Sequence, residues 1–175
     1  MPKFVSMLVI SFIALLAGVC SCHAQAAYSL TISTDRDVFK TDSTIPIKIT
    51  LTNTSQKMLS IHLTNPDYNY SVEVRDKGTG RIVPDTDLGR EVRETEESTT
   101  RDFIAVLRPG ESTSDGLYVG LLRNMSQPGE YTIVIMREAP EKVSGKDVLY
   151  LPPSNSKNFD RGVIRSNEIT VKVAK

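Results

Sequence analysis

Apolar residues at every second position set the strongest constraint on this chain. Ile45, Ile47, Ile49 and Leu51 alternate with Pro46, Lys48, Thr50 and Thr52. An extended chain sends successive side chains to opposite faces, so the run predicts a strand with one buried face. A helix needs apolar residues three and four apart, a spacing this run lacks. Leu30 and Ile32 repeat the pattern, as do Leu59, Ile61 and Leu63. So do Tyr70, Val72 and Val74, then Tyr131, Ile133 and Ile135, then Ile169, Val171 and Val173. Turn-forming residues separate these runs, among them Asn65-Pro66-Asp67, Pro109-Gly110 and Pro128-Gly129. Residues 103–107 are apolar at all five positions, which predicts a central strand covered on both sides or a strand near a covering loop. About eight short strands at near-regular spacing predict an all-β domain of two antiparallel sheets, with roughly seven to nine strands in all. The predicted inward set is Ile47, Ile49, Leu51, Ile61, Val72, Tyr131, Ile133, Ile169 and Val171. Residues 84–101 and 137–162 break the rhythm and are predicted as long loops.

The first 26 residues are of another kind. Lys3 is the only charge before Asp35, and Phe4 to Val19 is apolar apart from Ser6 and Ser11. Those 16 residues are too few for a membrane helix, which needs about 20. They fit the apolar part of a cleavable signal peptide. Ala24-Gln25-Ala26 supplies an A-x-A site, so cleavage between Ala26 and Ala27 is expected. Val19-Cys20-Ser21-Cys22 also resembles a bacterial lipobox at its first, third and fourth positions, with Cys20 off-pattern at the second. Cys20 or Cys22 would then carry a lipid anchor. Either route predicts export, to the periplasm or the extracellular space or to a lipid-anchored place on the envelope, with no membrane span left after processing. Cleavage after Ala26 leaves no cysteine, so burial rather than a disulfide must hold the domain.

Four segments carry a resemblance to known proteins. Asp37-Val38-Phe39-Lys40 with residues 45–54 resembles the first two strands of bacterial immunoglobulin-like modules. Leu107-Arg108-Pro109-Gly110-Glu111 is similar to their L-x-P-G-E turn, and Pro128-Gly129-Glu130-Tyr131-Thr132-Ile133 to their P-G-x-Y-x-I strand entry. Residues 166–171 resemble their last strand. Small secreted bacterial immunoglobulin-like proteins of unknown function share this order of pieces. More distantly, so does the domain named for a Bacillus intracellular proteinase inhibitor. The resemblance implies an immunoglobulin-like β-sandwich over residues 27–175, with loops at 84–101 and 137–162. It implies a fold and not an activity.

Functional signals are sparse. The chain holds 21 basic and 21 acidic residues, which argues against a nucleic-acid partner. His62 is the only histidine past residue 26, and a metal site needs three or four converging ligands. It alternates with Ile61 and Leu63, which predicts a solvent-facing position. No G-x-S-x-G elbow accompanies it. Paired carboxylates occur at Asp35 and Asp37, at Asp85 and Asp87, and at Glu94 with Glu96-Glu97. A glycosidase would need two of them facing across a cleft, whereas charged loop residues are ordinarily solvated. No catalytic residue, metal ligand or cofactor is therefore predicted. The expectation is a non-enzymatic exported module that binds a protein or a polysaccharide. A proteinase inhibitor and a hydrolase are the alternatives. The one apolar run inside a polar stretch is Val148-Leu149-Tyr150-Leu151, followed by Pro152-Pro153. Leu149, Tyr150 and Leu151 are either a partner-contact segment or an extra strand packed on the domain.

Overall fold

The computed structural model describes residues 26–95, 103–142, 148–151 and 162–175. Residues 1–25, with Cys20 and Cys22, lie outside these, as do Glu96, Glu97, Pro152 and Pro153.

The described chain is all-β. Three strands form a first sheet in the order β1-β3-β7: β1 is Tyr28–Ser33, β3 is Pro46–Asn53 and β7 is Ser112–Tyr118. A second sheet runs β6-β4-β10-β9: β6 is Phe103–Leu107, β4 is Met58–Leu63, β10 is Val148–Leu151 and β9 is Glu141–Lys142. The third is built on β8, Gly129–Glu138. One edge of β8 pairs with β5, Ser71–Asp76. Its other edge pairs first with β12, Ile169–Ala174, then with β11, Val163–Arg165. Strand β2, Val38–Lys40, closes this sheet against β12.

Alternation places the core as the sequence predicts. Ile47, Ile49, Leu51, Ile61, Val72, Tyr131, Ile133 and Val171 are all buried, while Ile169 packs only partly. Side chains from all three sheets join in one cluster. Asn53 ends β3 and is also buried, and its side chain is fully used. Its Nδ2 donates to the Lys57 and Leu107 carbonyls at 2.8 and 3.0 Å, and its Oδ1 accepts from the Ser55 amide at 3.0 Å. A buried amide that is satisfied in this way fixes the turn into β4.

Four expectations need correction. The pairing gives three sheets and twelve strands among the described residues, not two sheets of seven to nine strands. It is not wholly antiparallel: β2 runs parallel to β12, and β10 runs parallel to β4. An alternating pattern specifies a face but neither a partner nor a direction. Strand β6 is not central. It ends its sheet with β4 as its described partner, and Ile104 and Val106 are exposed. Finally, the two predicted loops carry regular structure. Residues 137–162 contain the end of β8, then β9 and β10. Residues 84–101 contain helix α2, Asp87–Glu94, between α1 (Pro66–Asn69) and α3 (Val119–Leu122).

Helix α2 has the terminal signals of a helix and a narrow apolar stripe. The Thr86 hydroxyl accepts from the Gly89 amide at 3.0 Å, Asp87 sits in the first turn and Arg93 in the last. Each suits the unpaired amides and the dipole of a helix end. Leu88 and Val92 lie four apart, with Val92 packed against the core, and buried Gly89 brings α2 against α3.

Candidate interaction surface

The outer face of the second sheet is the most apolar exposed surface among the described strands. Along β4, Leu59, Ile61 and Leu63 point inward while Met58, Ser60 and His62 point outward. In β10, Leu149 and Leu151 are buried, and Val148 and Tyr150 are half-buried on the outer face. Edge strand β6 adds Ile104 and Val106, which are 64% and 48% exposed. Register brings these residues together. Ile104 lies opposite His62, Val106 opposite Ser60, Tyr150 opposite Ser60, and Val148 opposite Met58. The Tyr150 hydroxyl lies 3.2 Å from His62 Nδ1. Ser60 and His62 on β4 separate this apolar edge from Tyr150.

Of the three residues singled out in the sequence, Leu149 and Leu151 are core residues and cannot serve as exposed anchors. Tyr150 alone reaches the outer face. Its packing predicts that Tyr150→Ala lowers stability by about 1 kcal/mol or more, a melting point lower by several degrees. Tyr150→Phe should recover most of that loss, since it removes only the hydroxyl. Matched thermal melts of the three proteins check this, and an unshifted melt for Tyr150→Ala contradicts the packing described here.

A buried polar layer lies beneath this face. Arg137 follows Tyr131, Ile133 and Ile135 on the inward register of β8 and is fully buried. Its Nη2 donates to the His62 carbonyl at 2.9 Å, and its guanidinium sits 5.2 Å from the Tyr70 ring centroid. A desolvated cation over an aromatic ring contributes about 2 kcal/mol. The Tyr70 hydroxyl donates to Asp115 Oδ2 at 2.8 Å, and the Tyr28 hydroxyl donates to the Glu138 carbonyl at 2.5 Å. Desolvation pushes both phenols well above their ordinary pKa, and the positive charge of Arg137 opposes this only in part. The folded state therefore keeps protons that the unfolded chain releases above about pH 10. Stability should be complete below that pH and fall above it, by up to about 1.4 kcal/mol per pH unit for each tyrosine. Melting temperatures measured at rising alkaline pH should drop steeply there. Tyr70→Phe should soften the drop.

Of the paired carboxylates, Asp85 is engaged structurally. Asp85, nearly buried, binds Arg93 at 2.5 Å and also pairs with Arg123. Arg123 donates in turn to the Val72 carbonyl, so this cluster ties α2 and α3 to β5. Asp87 is solvent-exposed beside Arg90, and Asp35 beside Arg36. Among the described residues, no three or more His, Cys, Asp or Glu side chains gather as a metal would require. No helix among them is long and apolar enough to cross a membrane.

An apolar cavity of about 510 Å³ opens near the start of β1, lined by Ala26, Ala27, Pro140, Leu149, Val163 and Ile164 among others. Ala26 and Ala27, at the expected cleavage point, are held by Thr54. Its hydroxyl donates to the Ala26 carbonyl at 2.6 Å and its amide to the Ala27 carbonyl at 3.2 Å.

No family model matches this chain. No curated protein matches it either. Among solved structures, a β-glucosidase from Erythrobacter marinus aligns at 13% identity with a TM-score of 0.40, over 85% of this chain and 16% of that one. A β-glucosidase from Listeria innocua aligns at 12% identity and 0.41, over 86% and 16%. The CARDB domain of a Pyrococcus furiosus protein aligns at 14% and 0.35, over 84% and 94%. The chain thus spans about a sixth of the glucosidases it matches. With TM-scores no higher than 0.41, these likenesses assign neither a family nor an activity.

Proposed function

We propose that this chain is an exported, non-enzymatic immunoglobulin-like module of the cell envelope or extracellular space. It contacts another protein through the outer face of the β6-β4-β10 sheet. The exposed apolar band of Ile104, Val106 and Met58, flanked by Tyr150, carries the reading. An exposed apolar patch of this kind suits a protein partner better than a polar polysaccharide. The strand order supports the fold assignment. Order β1-β3-β7 follows strands A-B-E of an immunoglobulin sandwich, and β5-β8-β12 follows C-F-G. Export rests on the apolar leader and on Ala24-Gln25-Ala26. N-terminal sequencing of the exported protein should begin at Ala27, and a lipid-modified Cys20 or Cys22 would place the protein on a membrane instead.

The contact is tested with the double variant Ile104→Lys, Val106→Lys. Both positions are exposed, and lysine is a common residue on sheet edges. The variant should melt within a few degrees of wild type and lose the protein that cross-links to wild type in its native envelope fraction. Retention of that cross-link by a folded variant overturns the reading.

A further inference from the structure

The bond between Ala26 and Ala27, where cleavage is expected on export, is built into the folded domain. Chain termini are ordinarily loose unless something ties them down. Here the β1-β3 ladder runs into the cleavage point with no spacer. Tyr28 opens β1 opposite Asn53, and one residue earlier the Thr54 amide donates to the Ala27 carbonyl at 3.2 Å. The Thr54 hydroxyl donates to the Ala26 carbonyl, the acyl half of the bond itself, at 2.6 Å. We infer that the folded domain shields its own cleavage point, so that cutting has to come before β1 docks on β3. This inference rests on the export reading above and adds an order of events to it.

Three observations carry it. First, the carbonyls of Ala26 and Ala27 are both hydrogen-bonded within the chain. A peptidase that takes its substrate as an extended segment, as an added strand is taken, needs those main-chain groups and has to break the bonds they already make. Secondly, the residues after the bond are packed. Ala27 lies against the core, and Tyr28 is completely buried with its hydroxyl donating to the Glu138 carbonyl at 2.5 Å. Freeing Ala27 as an extended substrate therefore draws Tyr28 out of the core. Thirdly, the opposite strand is fixed. Asn53 is buried, and its Nδ2 donates to the Lys57 and Leu107 carbonyls at 2.8 and 3.0 Å. Opening must then come from β1, and a peptidase cuts such a bond in proportion to the population of the opened state. A precursor that folds early keeps its leader.

The test uses the full 175-residue precursor, purified in mild detergent with its leader, and purified signal peptidase. Three forms are compared. One is the folded wild type. The second carries Gly-Ser repeated three times between Ala27 and Tyr28, which moves the bond away from β1. The third is Ile49→Asp, whose charge in the core keeps the domain unfolded. Circular dichroism establishes which forms are folded. The spacer form and the unfolded form should be cut after Ala26, and the folded wild type should be cut at least about a hundredfold more slowly. Equal rates for the folded wild type and the spacer form overturn the inference and leave the expected cleavage point standing. If none of the three forms is cut after Ala26, the unfolded one included, the cleavage point and the inference fall together.

Discussion

Gly89→Ala should destabilise the protein by about 3 kcal/mol or more, the severe end of what overpacking does. Gly89 lies within α2, where Ala is ordinarily the better residue by about 1 kcal/mol. Propensity alone therefore predicts a stabilised variant. Packing reverses the sign. A Cβ on Gly89 would lie 2.0 Å from the Leu122 carbonyl oxygen and 2.9 Å from its carbon. Both are backbone atoms of α3, and backbone cannot swing aside as a side-chain tip can. Gly120 behaves alike, since its added Cβ would meet the Ser43 carbonyl oxygen at 2.4 Å. Gly116 is the control: it lies in β7 with no heavy atom within 4 Å of an added Cβ. Gly116→Ala should leave stability unchanged or raise it by about 0.5–1 kcal/mol. Urea denaturation of the three variants measures this. A Gly89→Ala midpoint equal to wild type would mean that α2 and α3 do not approach as described.

Ile49→Ala should cost about 2–5 kcal/mol, the range for removing a large aliphatic side chain from a filled core. Ile49 sits at the middle of β3, itself the middle strand of its sheet, opposite Ile32 on one side and Asp115 on the other. It is completely buried. The surrounding strands are held by their ladders, so little of the space left behind can collapse. Thr50, one residue along, faces outward and has its hydroxyl 3.2 Å from that of Ser114. Thr50→Ala should cost no more than about 1 kcal/mol. Neighbouring residues with such different costs are the energetic signature of one buried and one wetted face. Equal costs at the two positions would contradict the assigned register.

What could be read in the sequence follows from this alternation. Runs such as Ile45 to Leu51 and Tyr131 to Ile135 declare both a strand and its inward face, because burial repeats at every second residue. Arg137 continues the second run in register, so its inward position could have been inferred from spacing, although its charge argues for solvent. Tertiary contacts override that preference: the Tyr70 ring and the His62 carbonyl receive the guanidinium. Helix α2 was hidden because its apolar signal is one pair, Leu88 and Val92, set among charged residues, and its close packing depends on Gly89. Strand β10 was readable as apolar but not as a parallel partner of β4, since no local pattern encodes a strand 88 residues distant, the separation of Tyr150 from His62. The edge position of β6 was invisible for the same reason. An all-apolar strand looks central until its neighbours are known.

A photo-reactive amino acid at position 104 reports on contacts made through the β6-β4-β10 face. It is compared with the same group at position 31, exposed on the outer face of the first sheet. Irradiation of cells producing the two full-length proteins should give a discrete protein adduct from position 104 and none from position 31. No adduct from 104, or one of equal yield from 31, would contradict a contact made through the β6-β4-β10 face.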